Sequence, residues 1–394
     1  MKDFKVRSLV KSVLLFLAWC TYVHGFDTLA KSAIVFDETT NSVIFEKAAD
    51  SSYPPASMSK LMTLLLAFEA LEEGRITLET TFRVSTKASQ KGGSKMFIEE
   101  NQLVSVENLI RGITVASGND ACIALAEGLN GTEDSFVTRM NLKAKDLGLD
   151  NSHFNNSTGW PSPGHVMSAR DLLILSMHLR KKYSKYYKYF QELSFSWNGI
   201  KQSNRNPLLK LDIGADGLKT GHTEESGYSL VGSAKLGERR INFVLTGMRT
   251  SQQRKLESEK IAKWAFRDFT VTSIFPSDHT VARASVWIGE TDYVDLKTRE
   301  EVTVLIPYGK KNDLRAEAHV KTPLITPIKV NDQIGTLKII APSFIPGGQD
   351  RIIEYPLISG AQVNEGSLFK KIQAAARMGI LTALKFSIPK DVFN

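Results

Sequence analysis

The alternation of apolar and polar positions predicts a mixed helix-and-strand region in the first two thirds of the chain. The apolar runs Ala33–Phe36 and Val43–Phe45 flank a polar turn and predict a β-hairpin. Residues 58–73 are mostly apolar and end at Gly74, which predicts a long buried helix. Residues 168–179 begin with Ser-Ala-Arg-Asp, a capping-box start, and predict another helix.

Towards the end of this region the pattern returns to strands. The runs Tyr228–Lys235 and Ile241–Met248 flank a turn that contains Gly237 and predict a second hairpin. The helix that follows has apolar side chains on one face, namely Ile261, Trp264 and Ala265. Strands at both ends with helices between them predict an α+β domain over residues 26–272, in which helices cover one antiparallel sheet.

The sequence pattern changes after a boundary at Phe275-Pro-Ser-Asp. Short strand-like runs now alternate with Pro, Gly and Asn turns: Ser285–Ile288, Val302–Ile306, Leu337–Ile340 and Ile352–Ile358. This spacing predicts a small all-β domain over residues 281–365.

The first 25 residues have the layout of a secretory signal peptide. Four basic residues and one acid precede an apolar run that ends at Cys20. Val23 and Gly25 then supply small residues before a cleavage site. The run is shorter than the roughly 20 residues that cross a bilayer. We therefore expect export with cleavage after Gly25, and the bulky Trp19 before Cys20 disfavours a lipoprotein signal.

The other end of the chain, residues 366–394, predicts an amphipathic helix. Between Leu368 and Ile388 there are four basic residues and no acid. An apolar stripe lies mostly opposite these cations: Phe369, Ile372, Ala376, Ile380, Ala383 and Leu384. Such a helix is typical of one that lies on an anionic membrane surface. The alternative is a terminal helix docked on its own protein.

Composition and charge narrow the classes of function. The 394 residues are 42% hydrophobic and 23% charged, which excludes wholesale disorder. The net charge of +8 resides largely in the two terminal segments, so it calls for no nucleic-acid partner. Residues 180–189 mix cations with tyrosines as single-strand binders do, but export argues against that function. Two cysteines and seven scattered histidines predict no metal site. The sequence contains no Walker-type phosphate-binding loop, and we expect no cofactor.

A candidate nucleophile lies at the start of the first long helix. In the sequence Ser57-Met-Ser-Lys60, a hydroxyl and an amine are one helical turn apart on the same face. A serine needs an adjacent base to act as a nucleophile, and a partly desolvated lysine can take that role. Alone the pattern is weak, because the same spacing recurs at three other serines of the chain.

Two further elements make the pattern specific. Ser117-Gly-Asn119 lies between two helical segments, and Lys219-Thr220-Gly follows a predicted turn at residues 214–217. Lys-Thr-Gly occurs only once in the chain. The three elements in this order are typical of serine β-lactamases and penicillin-binding proteins.

The chain resembles the low-molecular-mass penicillin-binding D-alanyl-D-alanine carboxypeptidases. Four segments match this family: Pro55–Lys60, Ile110–Gly112, Ser117–Ala121 and Gly217–Thr223. Gly92-Gly-Ser94 resembles a loop that borders the cleft. The resemblance covers nearly the whole chain and implies a transpeptidase-like domain that removes the terminal D-alanine from peptidoglycan stem pentapeptides. It also implies covalent inhibition by β-lactam antibiotics and a periplasmic location on the inner membrane.

The resemblance implies a role for each matching residue at the reacting bond. Ser57 is the nucleophile that forms the acyl-enzyme, and Lys60 is the proton acceptor, although the base in this superfamily is disputed. Ser117 and Lys219 complete the proton and charge network. Asn119 holds Lys60 and the substrate amide.

The resemblance also implies how the substrate is held. The oxyanion would lie between the backbone N–H groups of Ser57 and His222. Thr220, helped by Lys219 and Arg205, would bind the free carboxylate of the substrate. For Arg205, a plain surface arginine is an equally good interpretation.

Three alternative functions remain. A β-lactamase needs a carboxylate that activates water against the acyl-enzyme, but residues 151–170 contain no Asp or Glu, so slow turnover of penicillin is expected. A penicillin-binding module without catalysis is disfavoured by the intact motifs. The motifs do not separate carboxypeptidase from D,D-endopeptidase action, because both reactions cleave next to a D-alanine carboxylate.

Overall fold

The structure is a computed structural model and describes residues 26–373. The predicted signal peptide and most of the predicted carboxy-terminal helix lie outside the described residues. The α-helices of the first domain are α1 (Lys60–Glu72), α2 (Thr86–Gln90), α3 (Val106–Thr114), α4 (Asn119–Asn130), α5 (Glu133–Asp146), α6 (Ala169–Lys182) and α7 (Ser251–Arg267). The strands of the first domain are β1 (Ser32–Asp37), β2 (Ser42–Lys47), β3 (Thr81–Arg83), β4 (Leu103–Ser105), β5 (Ser194–Trp197), β6 (Ile200–Ser203), β7 (Ala215–Thr223), β8 (Gly227–Leu236) and β9 (Arg239–Met248).

One antiparallel sheet organises the first domain, in the order β2-β1-β9-β8-β7. Both predicted hairpins are present, as β1–β2 and β8–β9. The pairing of β1 with β9, from the far end of the domain, joins the two hairpins into one sheet, with Ile34 opposite Val244. This long-range pairing brings the beginning and end of the domain into one layer.

Helices cover both faces of this sheet, so β1 is buried along its whole length. Because side chains alternate across a strand, Ile34 packs into the core formed with α1, α3, α4 and α6, whereas Ala33 and Val35 pack into the core that faces α7. The predicted apolar face of α7 forms part of this second core through Ile261 and Ala265. The α+β prediction is confirmed.

The segment that carries the candidate nucleophile is the central helix of the first core. Twelve of the thirteen residues of α1 are buried, and Gly74 ends the segment with a φ of +67°. The prediction placed the start of the helix at residue 58, but residues Ala56–Ser59 form a 3-10 turn and the α-helix begins at Lys60. Residue Ser57 therefore lies on the turn that enters the helix.

The prediction of a turn at residues 214–217 is wrong. Gly214 has a φ of +69°, but β7 begins at Ala215 and pairs with β8. A Cβ on Gly214 would lie 2.0 Å from the backbone oxygen of Lys235. Sheet pairing with β8 has overridden the local turn preference of Gly and Asp.

The tyrosines that suggested nucleic-acid stacking belong to the core. Tyr183 and Tyr189 are each only 1% exposed, and Tyr186 stacks on Phe68 of α1 with ring centroids 5.0 Å apart. These rings therefore present no free surface on which bases could stack. Cys122 is buried too, as its apolar neighbours predict.

The remainder of the described chain is built from strands, as predicted: β10 (Phe269–Phe275), β11 (Thr280–Trp287), β12 (Tyr293–Thr298), β13 (Val302–Pro307), β14 (Arg315–Val320), β15 (Leu324–Ile325), β16 (Gln333–Ala341) and β17 (Arg351–Ser359). Six of them form a sheet in the order β14-β16-β17-β12-β11-β15, and β10 pairs with β13. Their apolar side chains form a separate core around Leu296, Val304 and Leu337. Within residues 26–373, no helix is long and apolar enough to cross a membrane.

Candidate active site

The entry turn of α1 holds the candidate nucleophile in an unusual backbone conformation. Ala56, the residue before Ser57, has a φ of +49°, a region that residues other than glycine seldom adopt. Gly159 approaches this turn so closely that a Cβ there would lie 1.9 Å from the backbone oxygen of Ala56. The turn is therefore clamped from outside as well as fixed by the helix.

Lys60 lies directly behind the nucleophile and is completely buried. Its Nζ donates hydrogen bonds to Ser57 Oγ at 2.9 Å, to Asn119 Oδ1 at 2.7 Å and to the backbone oxygen of Thr158 at 2.5 Å. Burial lowers the pKa of Lys60 from 10.5 to about 8, because removal from water disfavours the charged form. No carboxylate accepts a hydrogen bond from this amine within the described residues.

These three contacts are suited to a lysine that works as a base. A neutral amine has two N–H groups and one lone pair, whereas the ammonium has three N–H groups. The oxygens of Asn119 and Thr158 are acceptors only, so they take both N–H groups of the neutral amine. The lone pair of Lys60 is then directed at the hydroxyl of Ser57.

A second serine–lysine pair lies across the cleft. Ser117 connects α3 to α4 with a φ of +60°, and its Oγ accepts a hydrogen bond of 2.8 Å from Lys219 Nζ. Lys219, in the central part of β7, is only 2% exposed. Burial and then the charges of Lys60 and Arg205 hold the pKa of Lys219 well below its usual value.

The first turn of α4 joins the two sides of the cleft. Asn119 accepts from Lys60 and donates from Nδ2 to the backbone oxygen of Gly92 at 2.8 Å, which fastens the Gly92–Ser94 loop beside the site. The carboxylate of Asp120 accepts hydrogen bonds from the backbone N–H groups of Met96 and Phe97, each at 2.9 Å. The sequence reasoning missed Asp120, although its position after the Ser-x-Asn element was the available signal.

The cleft itself has a volume of about 430 Å³ and opens in front of Ser57. Its lining combines both serines with residues of β7, β8 and α7: Ser57, Ser94, Ser117, Arg205, Thr220, Gly221, His222, Tyr228 and Arg254. Arg205 is exposed at the rim and donates to Ser94 Oγ at 2.5 Å. His222 is exposed and stacks on Tyr228 with ring centroids 3.8 Å apart.

Arg254 is a cleft residue that the sequence reasoning missed. It projects from α7, lies 5.6 Å from the ring centre of Tyr228, and has a buried Nε without a hydrogen-bond partner among the described residues. Burial lowers its pKa, which indicates a charge held without full compensation. No local motif marks this arginine, because α7 reaches the cleft only through the fold.

The described lining of the cleft carries basic side chains and no acidic ones. It includes two arginines and no Asp or Glu. The 151–170 loop supplies a backbone group instead, because the Thr158 oxygen accepts from Lys60. The side chain of Asn156 holds this loop, since its Oδ1 accepts from the N–H groups of Gly159 and Trp160. Over residues 26–373, no group of three or more His, Cys, Asp or Glu side chains is arranged to hold a metal ion.

Comparison with known proteins gives the same picture over most of the chain. Residues 21–250 match the family described as D-alanyl-D-alanine carboxypeptidase, and residues 269–365 match the C-terminal domain of penicillin-binding protein 5. Over 351 residues the chain is 35% identical to D-alanyl-D-alanine carboxypeptidase DacA of Escherichia coli (strain K12), covering 87% of this chain and 86% of the relative.

Solved structures agree with these matches. Penicillin binding protein 5 from Haemophilus influenzae superposes with a TM-score of 0.75 and 31% identity, covering 87% of this chain and 100% of that one. Penicillin-Binding Protein D2 from Listeria monocytogenes, solved in its ampicillin-bound form, superposes with a TM-score of 0.57 and 28% identity over 62% of this chain and 100% of that one. The resemblance drawn from the motifs is thus confirmed, and the chain belongs to the D-alanyl-D-alanine carboxypeptidases, a family of penicillin-binding hydrolases.

Proposed function

We propose that this chain removes the terminal D-alanine from peptidoglycan stem pentapeptides through an acyl-enzyme on Ser57. The observation that carries the proposal is the 2.9 Å contact between Ser57 Oγ and the fully buried amine of Lys60. Burial gives Lys60 a pKa of about 8, so a useful fraction of neutral base is present near neutral pH.

The reaction has two stages. Lys60 accepts the proton of Ser57 while Oγ attacks the carbonyl carbon of the D-Ala–D-Ala bond, and the developing oxyanion accepts from the backbone N–H groups of Ser57 and His222. The carbon–nitrogen bond breaks, the leaving amine takes a proton, and free D-alanine departs. Water then hydrolyses the Ser57 ester. In this proposal the Ser117–Lys219 pair passes the proton to the leaving amine. The support is that Ser117 lines the same cleft as Ser57 and accepts a 2.8 Å hydrogen bond from Lys219.

An exopeptidase must recognise the free carboxylate of the residue that leaves. We propose that Thr220 and Lys219 bind this group together with Arg205 and Arg254. Two arginines and no acidic side chain in the described cleft lining support an anionic ligand, and charged hydrogen bonds to a carboxylate are among the strong ones. Arg254 is the more constrained of the two arginines, since its Nε is buried and has no acceptor among residues 26–373.

The same nucleophile should open β-lactam rings and remain acylated for a long time. The ampicillin-bound form of the Listeria monocytogenes relative supports β-lactams as ligands of this cleft. The lack of a carboxylate in the described lining removes the base that β-lactamases use on the acyl-enzyme. Rapid penicillin hydrolysis is therefore disfavoured.

Replacement of the nucleophile tests the proposal. Ser57→Ala should abolish both D-alanine release from a stem pentapeptide and covalent labelling by a fluorescent penicillin. The control is Ser51→Ala, which changes an exposed serine shortly before the nucleophile and should leave both activities intact. If Ser57→Ala still released D-alanine, the nucleophile would be another residue. If the unaltered chain took the label but released no D-alanine, it would be a penicillin-binding module without catalysis.

Product analysis separates the carboxypeptidase from the D,D-endopeptidase alternative. The purified chain is incubated with pentapeptide and, in parallel, with cross-linked muropeptides. Release of D-alanine from the first without uncoupling of the second supports the carboxypeptidase proposal. Uncoupling at a comparable rate would make endopeptidase action part of the function.

We also propose that the chain is exported and works in the periplasm on the outer face of the inner membrane. In this proposal residues 1–25 are a signal peptide, residues 26–272 the catalytic domain, residues 281–365 the β-domain, and residues 366–394 the membrane-associated helix. The support is the charge and hydropathy pattern of the two terminal segments.

A further inference from the structure

We infer that one end of the β-domain is itself a lipid-contact surface, which touches an anionic bilayer beside the carboxy-terminal segment. We call it the terminal surface and define it by Trp287, Ile325, Val330, Leu368 and Phe369. This inference rests on the proposed membrane association and adds a second, structurally fixed contact to it. It does not depend on the catalytic proposal.

Backbone pairings gather this end of the domain from three distant stretches of chain. Strands β11 and β15 run parallel with Trp287 beside Ile325. Isolated bridges join Ile328 to Val363 and Gly289 to Glu365. The N–H of Gly366 donates to the backbone oxygen of residue 288 at 2.8 Å, so the chain leaves the domain at this same end.

The side chains of the terminal surface are too exposed for ordinary packing. Ala284 and Val286 of β11 point into the β-domain core, so Trp287 points outward by the alternation of the strand. Trp287 is 38% exposed and Ile325 79% exposed. Val330 is 53% exposed, and Leu368 and Phe369 are 74% each. Apolar side chains clustered on a surface in this way mark an interaction site, and tryptophan favours the interface of a bilayer.

The charges around these side chains favour an anionic partner. Lys321 and Lys329 lie on either side of β15, and neither forms an ion pair with any residue between 26 and 373. Among the nearby acids, Asp292 pairs with Lys370 and Glu365 pairs with Lys371, while Glu290 accepts from Asn364 and Asp332 accepts from the backbone N–H of Lys329. Free cations next to exposed apolar groups complement anionic lipid headgroups above acyl chains.

The exit of the chain supports a membrane rather than another protein. Residues 368–373 are helical, and Lys370 Nζ donates to the backbone oxygens of Gly289 and Glu290 at 3.2 and 3.0 Å, which fastens the helix start to the terminal surface. The sequence after residue 373 continues without an acid as far as Lys390. A bilayer that receives this segment is thus brought to the terminal surface as well.

Vesicle binding of residues 26–394, the chain without the proposed signal peptide, tests the inference. We measure partition onto vesicles of phosphatidylcholine with and without phosphatidylglycerol, by sedimentation. Ile325→Ser should weaken partition about fivefold to tenfold, since burial of an isoleucine side chain is only partly recovered at an interface. Lys321→Gln with Lys329→Gln should weaken it by a similar factor only when phosphatidylglycerol is present, and added salt should remove that difference.

The matched control is Ile352→Ser. Ile352 is 63% exposed on the same domain but lies at the opposite end of β17, so its replacement should leave partition unchanged. Brominated lipids give a second readout. They should quench tryptophan emission from the bound chain, and Trp287→Phe should remove most of the quenching, because Trp160, Trp197 and Trp264 lie in the first domain and Trp19 belongs to the proposed signal peptide.

The outcomes separate this inference from the proposals on which it rests. If Ile380→Asp in the carboxy-terminal segment abolishes partition while Ile325→Ser and Trp287→Phe change nothing, the terminal surface is overturned and the membrane-associated segment stands. If the unaltered chain does not bind vesicles, both membrane contacts are overturned, while D-alanine release remains to be judged by its own assay. Equal effects of Ile325→Ser and Ile352→Ser would also overturn the inference.

Discussion

The rate of acylation should follow the ionisation of Lys60. If the neutral amine is the base, the rate rises with pH until the pKa of Lys60, about 8, is passed. The rate of acylation is therefore measured as a function of pH, between pH 6 and pH 9. The structure is the reason for expecting an inflection in this range, because an exposed lysine would titrate far above it.

The magnitude follows from the size of the shift. Lowering the pKa from 10.5 to about 8, for which burial is the largest cause, corresponds to a net change of about 3 kcal/mol in favour of the neutral amine. At pH 7 it makes the neutral amine roughly 300-fold more abundant than for an exposed lysine. Between pH 6 and pH 8 the neutral fraction, and with it the rate of acylation, should rise about 50-fold.

The assay is the second-order rate of labelling by a fluorescent penicillin across this pH range. Because Lys60 and Lys219 influence each other, the profile is repeated with Lys219→Gln, which should lower the maximum and leave an inflection that belongs to Lys60. His222→Gln removes a titratable ring from the cleft and should leave the inflection in place. A rate that is flat from pH 6 to pH 9, or Lys60→Arg with an unchanged profile, would refute this reasoning.

Three further predictions concern the charges and the packing around the site. Arg254→Gln should lower kcat/KM for a peptide with a free C-terminal carboxylate by about tenfold to a hundredfold, and should affect the amidated peptide much less. Gly159→Ala should reduce the free energy of unfolding more than Gly148→Ala in a denaturant titration: both have positive φ, but only the first meets backbone, at 1.9 Å. Equal losses would show that the clamp on the nucleophile turn is absent. Glu69→Gln should cost about 1–3 kcal/mol at pH 7, because this buried carboxylate pairs with two cations of α5. Burial alone would raise the pKa of Glu69, but the hydrogen bonds from Lys143 and Arg139 lower it below 4.5. Calorimetry should therefore find that the stability difference between Glu69→Gln and the unaltered chain disappears as the pH falls below 4.5.

The sequence by itself determined the parts of this protein that depend on local pattern. The hairpins, the capped helix from residue 169 and the strands of the β-domain follow from periods of two and 3.6 residues, which a short stretch of chain displays in full. The Ser57–Lys60 contact follows in the same way, because one helical turn brings the two side chains together whatever surrounds them. Ser117 and Lys219 could be named from their motifs, but their contact could not.

Only the tertiary structure decided what depends on neighbours distant in sequence. Arg254 reaches the cleft because α7 packs against the sheet that carries β7 and β8, and nothing in the local sequence of α7 indicates this. The expected turn before Lys219 became strand because pairing with β8 outweighed local preference. The Thr158 oxygen completes the environment of Lys60 from a loop nearly a hundred residues away. A serine and a lysine one turn apart are common in sequences, but the burial that lowers the pKa of Lys60 requires the assembled core.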